Sequence, residues 1–449
     1  MLLLTAALGS RAATAAPAVE PSLQVPPLVY SERRLANGLQ VLAAPSAASP
    51  TVSVQVWYRV GAKDDPQGRS GFAHLFEHLM FKSTRHLANE QFDRLTEDVG
   101  GENNAFTADD VTAFQSVVPA NHLERLLWAE SERMSSLTVD EANFRSERAV
   151  VEEEFRERIV AAPYGRFFNA MAPAAYRQHP YRRPVIGRIE DLEAATLDDV
   201  QAFHRRHYRP DNATLVVAGD FDPQQLEKWV DGYFGDIGIA PAAPVPPEAD
   251  EPAWPVDRRV RVVGNRVPLP AVALIWLAPS QRHADAAALR VAAALLATGE
   301  SARLNQALVY RRQLASQIGF DADLRIGPGL LIAYAISAGE RPLAALASTL
   351  NAAVQRLGRA ASPPAELSKV KTQLLTRAIA GRQTPLGRAG ALGDAATIGG
   401  NAGRVDADLH ALQQVSARDV RRVARRYLIQ GHHVTVEYRQ AVRGMDQAP

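Results

Sequence analysis

Cysteine is absent from this chain of 449 residues. Disulfide bonds and thiolate metal sites are therefore excluded, and any metal ion must be held by nitrogen and oxygen ligands. Net charge is almost absent as well, because 50 lysines and arginines balance 49 aspartates and glutamates. A formal charge of +1 gives no electrostatic basis for binding nucleic acid. No apolar run reaches the ~18 residues of a transmembrane helix, so we expect no membrane span.

The length of the chain predicts more than one domain, since 449 residues exceed what a single hydrophobic core usually organises. A composition of 47% hydrophobic and 22% charged residues is typical of a globular protein. Six prolines between residues 241 and 255 mark the clearest boundary. We therefore predict a first domain over residues 28–240, a linker over 241–258 and a second domain over 259–449.

The N-terminus has the features of a targeting segment. A short apolar run from Leu2 to Leu8 is followed by small residues, and Ala13-Thr14-Ala15 matches the pattern of a cleavage site. Residues 1–27 are therefore predicted to be a signal peptide, which would send the protein to the periplasm or outside the cell. Because no basic residue precedes the apolar run, two alternatives stay open. One is an organelle transit peptide, which would place the protein in mitochondria, and the other is a disordered tail on a cytoplasmic protein.

A short motif in residues 71–82 predicts a metal site. His74 and His78 are one helical turn apart, and Glu77 leaves the same face of the helix. The other residues of this helix are mostly apolar, so the helix and its three polar side chains should be buried. A buried carboxylate needs a counter-charge, which a divalent cation would supply. The alternative is a pair of ordinary core histidines with Glu77 as their hydrogen-bond acceptor.

A second predicted helix, over residues 140–159, carries the next candidates. Glu154 shares a stripe with Val150 and Val151 and should therefore point inward, where it also needs a cation or a donor. This position makes it the candidate third metal ligand. Glu147 lies two turns earlier on the same stripe, and we predict that it orients a ligand from behind.

The order of predicted elements repeats along the chain. In the first half, Val52, Val54 and Val56 alternate with polar residues and predict a half-buried strand ahead of the histidine helix. In the second half, the predicted strand 271–277 is followed by a helix over 284–297 that has no histidine or glutamate. Two related halves are therefore predicted, of which only the first carries metal chemistry.

Three segments, GFAHLFEHLMFKST, GGENNAFTADDVTAF and ERAVVEEEFRER, resemble the pitrilysin/insulinase superfamily of zinc peptidases. The motif HxxEH with a glutamate on a later helix is the inverted zincin arrangement. The similarity extends in particular to short bacterial members and to the β-type subunit of the mitochondrial processing peptidase. It implies an α+β fold of two homologous half-domains, each an antiparallel-rich sheet with helices packed on one side, joined by the proline-rich linker.

The resemblance also assigns roles. It implies one zinc ion per chain with His74, His78 and Glu154 as ligands, Glu77 as the catalytic base and Glu147 as a supporting carboxylate. Members of this superfamily bind a peptide as an added strand at a sheet edge, and the matching segment here is Asn104-Ala105-Phe106. The implied activity is that of an endopeptidase acting on oligopeptides or unfolded polypeptides.

The sequence departs from the family pattern in one respect. Active members usually complete their site with an arginine and a tyrosine from a distal domain. The corresponding positions here are Val309 and Ser316. Nearby Tyr310 and Arg311 match only if the register of the alignment is shifted. We therefore expect a dimer, either of this chain with itself or with a paralogue that lacks HxxEH and supplies the Arg/Tyr pair. Two other functions stay open: a non-catalytic peptide-binding or scaffold subunit of the same family, and a metal hydrolase of another class, such as an amidase.

Overall fold

The computed structural model describes residues 23, 25–238, 250–339 and 341–441. The apolar run of the predicted signal peptide and residues 241–249 of the predicted linker lie outside these ranges, so both stay predictions. Within the described ranges, no helix is both long enough and apolar enough to cross a membrane.

Strands and helices follow one another through both halves of the chain. The strands are β1 (Ser31–Arg34), β2 (Gln40–Pro45), β3 (Thr51–Tyr58), β4 (Glu102–Thr107), β5 (Thr112–Pro119), β6 (Ala213–Gly219), β7 (Arg258–Gly264), β8 (Ala271–Ala278), β9 (Ala315–Asp323), β10 (Gly329–Ser337) and β11 (His433–Gln440). The helices are α1 (Phe72–Leu79), α2 (Gln91–Glu97), α3 (Leu123–Ser136), α4 (Glu141–Phe155), α5 (Gly165–Asn169), α6 (Met171–Ala175), α7 (Ile189–Glu193), α8 (Leu197–His207), α9 (Pro223–Phe234), α10 (Ala286–Ala297), α11 (Leu343–Arg359), α12 (Pro364–Gly381), α13 (Pro385–Thr397), α14 (Arg404–Gln414) and α15 (Ala417–Val423).

Each half builds one sheet, and the two sheets have the same strand order. The first half forms a six-stranded sheet in the order β1-β2-β6-β3-β5-β4, and the second forms a five-stranded sheet in the order β7-β11-β8-β10-β9. Without β1, the two orders correspond strand for strand. Each sheet also contains a single parallel pair at the same place, β2 with β6 in the first sheet and β7 with β11 in the second. The predicted α+β fold of two homologous half-domains with antiparallel-rich sheets is confirmed.

Helices of its own half cover one face of each sheet. In the first half, Val52, Val54 and Val56 of β3 share a buried core with Leu75 and Phe76 of α1. In the second half, strands β8 and β10 pack in the same way against α10 and α11. The histidine helix therefore lies against the sheet at the position that α10 occupies in the second half.

The other face of each sheet is covered by helices from the opposite half. On the first sheet, Trp57 of β3 and its neighbours pack against Ala389 and Leu392 of α13. On the second sheet, Phe167 of α5 and Met171 of α6 pack against β8 and β11. The prediction of a half-buried β3 is therefore wrong, because α13 buries the face that the alternation assigned to solvent.

Candidate metal centre

A buried carboxylate fixes where α1 begins. After β3 the chain passes through the 3-10 turn Ala62–Asp64 and reaches Asp65, whose side chain accepts hydrogen bonds from the backbone N–H groups of Gly71 (2.7 Å) and Ala73 (2.9 Å). N–H groups in the first turn have no acceptor within a helix, so Asp65 stabilises this end. Gly71 has a φ of +93°, and a Cβ there would lie 2.8 Å from the carbonyl oxygen of Ile186, which favours glycine at this position.

The two histidines of α1 come together on the side of the helix that faces α4. Most side chains of α1, including Leu75 and Phe76, are buried in the core of the first half, as predicted. His74 is 8% exposed, and its ring centroid lies 4.9 Å from that of His78. The spacing of one helical turn therefore places both imidazoles beside a common point.

Helix α4 brings two glutamates to these histidines. Oε2 of Glu154 lies 3.2 Å from Nε2 of His74 and 3.3 Å from Nε2 of His78. On the far side of His78, Oε2 of Glu147 lies 3.6 Å from Nδ1 of the ring. Nζ of Lys82 lies 2.8 Å from the other oxygen of Glu147 and balances its charge. The structure thus brings His74, His78 and Glu154 together and places Glu147 behind His78.

The stripe of α4 that faces α1 differs from the prediction at one position. Val151 is fully buried and Glu147 is 5% exposed, but Val150 is 47% exposed. Each residue turns a helix by about 100°, and this step carries Val150 away from a stripe centred between Glu147 and Val151. The α-helix also ends at Phe155, and six residues of π-helix, Arg156–Ala161, continue it. The side chain of Glu154, at 15% exposure, still faces inward.

The three donor atoms fit a divalent ion. The ligand atoms of His74, His78 and Glu154 all lie within 4.8 Å of one another. Zinc is held by imidazole nitrogens and carboxylate oxygens at about 2.0–2.2 Å, so donors at neighbouring corners of a tetrahedron are roughly 3.3–3.6 Å apart. The distances of 3.2 and 3.3 Å from Glu154 to the two imidazoles are close to that spacing. Two imidazoles and one carboxylate form a donor set typical of catalytic zinc.

Glu77 lies beside the three donors. Its Oε2 accepts a hydrogen bond of 2.6 Å from the hydroxyl of Thr107 and lies 3.5 Å from Nδ1 of His74. Burial opposes ionisation of Glu77, but the contacts with His74 and Thr107 outweigh it and hold the pKa of this carboxyl below its ordinary value. Glu77 is therefore ionised at neutral pH and able to accept a proton.

The charges at the site form an ion pair when no metal is bound. Hydrogen bonding to His74 is the main cause that lowers the pKa of Glu154 to about 2, against the effect of burial. Burial lowers the pKa of His74, but Glu154 and Glu77 outweigh it and raise that pKa to about 9. A divalent ion would therefore take the place of the proton on His74.

A cleft of about 910 Å³ opens beside the three donors, and its wall includes the edge of the first sheet. The edge strand is β4, which lies at the end of the strand order and pairs with β5. Asn104, Ala105 and Phe106 of this strand all line the cleft. The backbone N–H of Ala105 donates to Oδ1 of its neighbour Asn104 at 2.8 Å, so this N–H points away from β5 toward the free edge. The segment predicted to bind peptide therefore adjoins the donor set.

Residues of the second half do not line the cleft within the part of the chain that the structure describes, since its lining runs from His74 to Ile186. Val309 lies in the π-helical segment Asn305–Arg311. The hydroxyl of Ser316 donates to the backbone oxygens of Ser337 (3.2 Å) and Ile336 (3.4 Å). Among the described residues, the second half of this chain therefore contributes no Arg/Tyr pair to the cleft; the arginine and tyrosine that line it, Arg158 and Tyr164, belong to the first half.

Sequence reasoning missed several residues of the site. Arg158 lies one turn beyond Glu154, and its Nη1 is 2.6 Å from Glu154 Oε1. The spacing of four residues on a helix was a signal that could have indicated this pair. Thr107 and Lys82 also contact predicted site residues. The contact of Thr107 with Glu77 depends on the packing of β4 against α1, which no local pattern indicates.

Family models divide the chain between its two halves. The model described as Insulinase (Peptidase family M16) matches residues 40–188, and the model described as Peptidase M16 inactive domain matches residues 194–374. Both matches agree with a metal site that is confined to the first half.

Individual relatives resemble the chain over most of its length. The zinc protease PqqE of Helicobacter pylori is 33% identical over 340 residues, which cover 75% of this chain and 76% of that protein. An uncharacterized zinc protease of Mycobacterium bovis is 28% identical over 394 residues, or 88% of this chain and 90% of that one. The crystal structure of a protease from Helicobacter pylori matches with a TM-score of 0.88 at 30% identity and covers 92% of this chain and 99% of that chain.

Proposed function

Because the chain belongs to the insulinase family of peptidases, family M16, we propose that it is a zinc-dependent endopeptidase that cleaves oligopeptides or unfolded polypeptides. One observation carries this proposal: a single oxygen of Glu154 faces both His74 and His78 at the spacing of zinc ligands. The relatives named as zinc proteases support the class of metal and of reaction. We propose one zinc ion per chain.

Zinc held by His74, His78 and Glu154 would act as a Lewis acid, which polarises a carbonyl oxygen and lowers the pKa of a nearby water molecule. Glu77 would take the proton from the attacking water, because it is ionised and adjoins the ligand set without being one of the three. The hydroxyl of Thr107 holds the Oε2 atom of Glu77 in place. After the attack, Glu77 would pass the proton to the leaving amine.

The substrate would lie along β4 as an added strand. At the free edge, the backbone of Ala105 can pair with a peptide of any sequence once Asn104 releases the N–H group. Such pairing supplies affinity through the main chain, which suits a peptidase of unfolded or flexible segments. Phe168, which is 45% exposed, lines the same cleft and offers an apolar surface to substrate side chains.

The proposed active form is a dimer. Val309 and Ser316 stand where the Arg/Tyr pair is expected, so we propose a heterodimer in which a paralogue without HxxEH supplies the pair. The alternative is a homodimer, in which neither copy carries the pair at these positions. From the N-terminal pattern we further propose that the protein is exported to the periplasm or secreted.

A second candidate function is that of a non-catalytic subunit that binds peptides or serves as a scaffold. The observation in its favour is the presence of Val309 and Ser316 at the positions where active relatives carry the pair. Such a subunit would bind peptide at β4 without hydrolysing it.

Two variants test the proposed enzyme. Glu77→Gln keeps the three ligands and should retain zinc, but its hydrolysis of an unstructured fluorogenic peptide should fall by about 10²–10⁴-fold because the base is lost. His74→Ala removes a ligand and should lose both zinc and hydrolysis. Zinc content and peptide cleavage are measured on each purified variant, with and without the candidate partner subunit. Unchanged cleavage by Glu77→Gln would contradict the role of the base, and zinc without cleavage in the wild type under every condition would favour the scaffold function.

A further inference from the structure

A second cavity, of about 920 Å³, lies between the two halves, and none of the described residues lines both this cavity and the metal cleft. We call it the arginine cavity, because its wall includes Arg34 and Arg59 of the first half and Arg282 of the second. Arg34 ends β1, Arg59 follows β3 and Arg282 precedes α10. Segments that are distant in sequence thus bring these three guanidinium groups to one space, whose wall also includes Arg206 and Lys63.

Arg59 is half-buried, and its side-chain partners within the described ranges are neutral. Its Nη2 donates to Oε1 of Gln40 (2.9 Å) and to Oγ1 of Thr214 (3.0 Å). Burial lowers the pKa of Arg59, and the positive charges of Arg34 and Arg282 lower it further. A guanidinium in such surroundings lacks the compensation that buried charges normally have.

The other two arginines also donate to neutral oxygens. Arg34 donates to the backbone oxygen of Gly38 at 2.8 Å. Arg282 donates to the backbone oxygen of Ile398 at 3.1 Å. A Cβ at position 400 would lie 2.8 Å from the guanidinium carbon of Arg282, so Gly400 leaves room for this side chain at the cavity wall.

The carboxylates that line the cavity are bonded to groups other than these three arginines. Asp110 accepts a hydrogen bond from the hydroxyl of Tyr181 (2.6 Å) and forms an ion pair with Lys63 (2.9 Å). Glu32 accepts from the side-chain amide of Gln40 at 2.8 Å, and Asp64 from the backbone N–H of Gly61 at 3.0 Å. Among the residues that the structure describes, no carboxylate is therefore bonded to Arg34, Arg59 or Arg282.

We propose that the arginine cavity binds a small phosphate-bearing anion. Guanidinium groups present forked N–H donors that match the oxygens of phosphate, and three of them from separate segments suit a group with several charged oxygens better than a single planar carboxylate. A volume of about 920 Å³ admits a ligand as large as a nucleotide. Because residues of both halves form the wall, the anion would also hold the halves together and stabilise the folded chain.

The test measures the melting temperature and calorimetric binding of the zinc-loaded full chain with inorganic phosphate and pyrophosphate, at ionic strength matched with sodium chloride. The wild type should show a saturable rise in melting temperature and a defined Kd. Arg59→Gln should weaken Kd at least tenfold, since a charge-assisted hydrogen bond is lost. The double variant Arg34→Gln/Arg282→Gln should also weaken Kd at least tenfold. Because both arginines are exposed, it can be measured even if Arg59→Gln does not fold.

Arg359→Gln serves as the control, because Arg359 is exposed and also donates to a neutral oxygen, that of Gln355 at 2.9 Å. Arg359→Gln should bind the anions with the Kd of the wild type. Removal of zinc by pyrophosphate would change the melting temperature of all variants alike, so it would not imitate a loss of anion binding. The proposal is overturned if the wild type shows no saturable response, or if the arginine variants respond as the control does. An equal response to citrate would overturn the assignment to phosphate.

Discussion

At the scale of single residues, Glu154 divides its two oxygens between two tasks. Oε2 faces both imidazoles, whereas Oε1 lies 2.6 Å from Nη1 of Arg158. A ligand carboxylate held by a hydrogen-bond partner keeps one orientation, and loss of such a partner typically costs 10–100-fold in metal affinity. Arg158 is therefore expected to position the third ligand.

We predict that Arg158→Ala weakens zinc affinity by about 10-fold while the fold is unchanged. The measurement is a competition titration with a fluorescent zinc chelator. Arg156→Ala is the matched control, since Arg156 lies on the same segment but pairs with Glu153 (2.9 Å) on the exposed side. Equal zinc affinity in the two variants would show that Arg158 has no positioning role.

The ion pair at the metal-free site predicts proton release. Because the pKa of His74 is raised to about 9, its imidazole carries a proton at pH 7 that zinc must displace. We expect about one proton released per zinc bound at pH 7, falling toward zero above pH 9, with weaker zinc binding as pH decreases. Calorimetry in buffers of different ionisation enthalpy measures this number. Release that does not change between pH 7 and pH 10 would contradict the assignment to His74.

At the scale of elements, strand β4 pairs with β5 on one side and is open to the cleft on the other. The N–H of Ala105 belongs to the open edge, since it donates to Asn104. Ala105→Pro therefore removes the N–H group that would donate to the proposed substrate, and it leaves the pairing with β5 intact. We predict a rise in KM of about tenfold, the equivalent of one hydrogen bond, with a small effect on kcat.

The control for this strand is Ala105→Val, which keeps the N–H group and has a high strand propensity. Its KM for the same fluorogenic peptide should stay near that of the wild type. If both variants raise KM equally, the side chain at position 105, and not the backbone edge, determines binding. Thermal melting of each variant checks that the sheet is intact.

The elements that sequence patterns predicted well are those whose burial depends on local neighbours. The apolar circumference of α1 is such a local signal, and this helix is present and buried. The outward turn of Val150 and the π-helical segment that carries Arg158 depend on how α4 packs against α1. Patterns of one helix do not show where it changes to a π-helix or which way Val150 turns. The contact of Arg158 with Glu154 is different, because the spacing of four residues could have indicated it.

At the scale of the whole molecule, each half completes the core of the other. α13 of the second half covers the first sheet, and α5 and α6 of the first half cover the second sheet. The alternation in β3 predicted a solvent face because the sequence of one half does not show what the other half contributes. The candidate metal site lies in the first half, and helix α13 of the second half covers one face of the sheet that supports it.

The contact between α13 and the first sheet leads to a prediction at Gly393. A Cβ at this position would lie 2.2 Å from the indole ring of Trp57, which is 4% exposed. Gly393→Ala should therefore overpack the contact between the halves and lower the free energy of unfolding by about 1–3 kcal/mol. Gly390→Ala is the matched control one turn earlier, where the nearest atom is 3.9 Å away in Gln55.

Because alanine favours a helix over glycine, Gly390→Ala should raise the free energy of unfolding by about 0.5–1 kcal/mol. Both variants are compared by chemical denaturation, followed by fluorescence of the tryptophans and by zinc release. If α13 stabilises the supporting sheet, Gly393→Ala should release zinc at a lower denaturant concentration together with the loss of the fluorescence signal. Zinc release at the wild-type concentration, despite a destabilised second half, would mean that the first half holds its metal site without the covering helix.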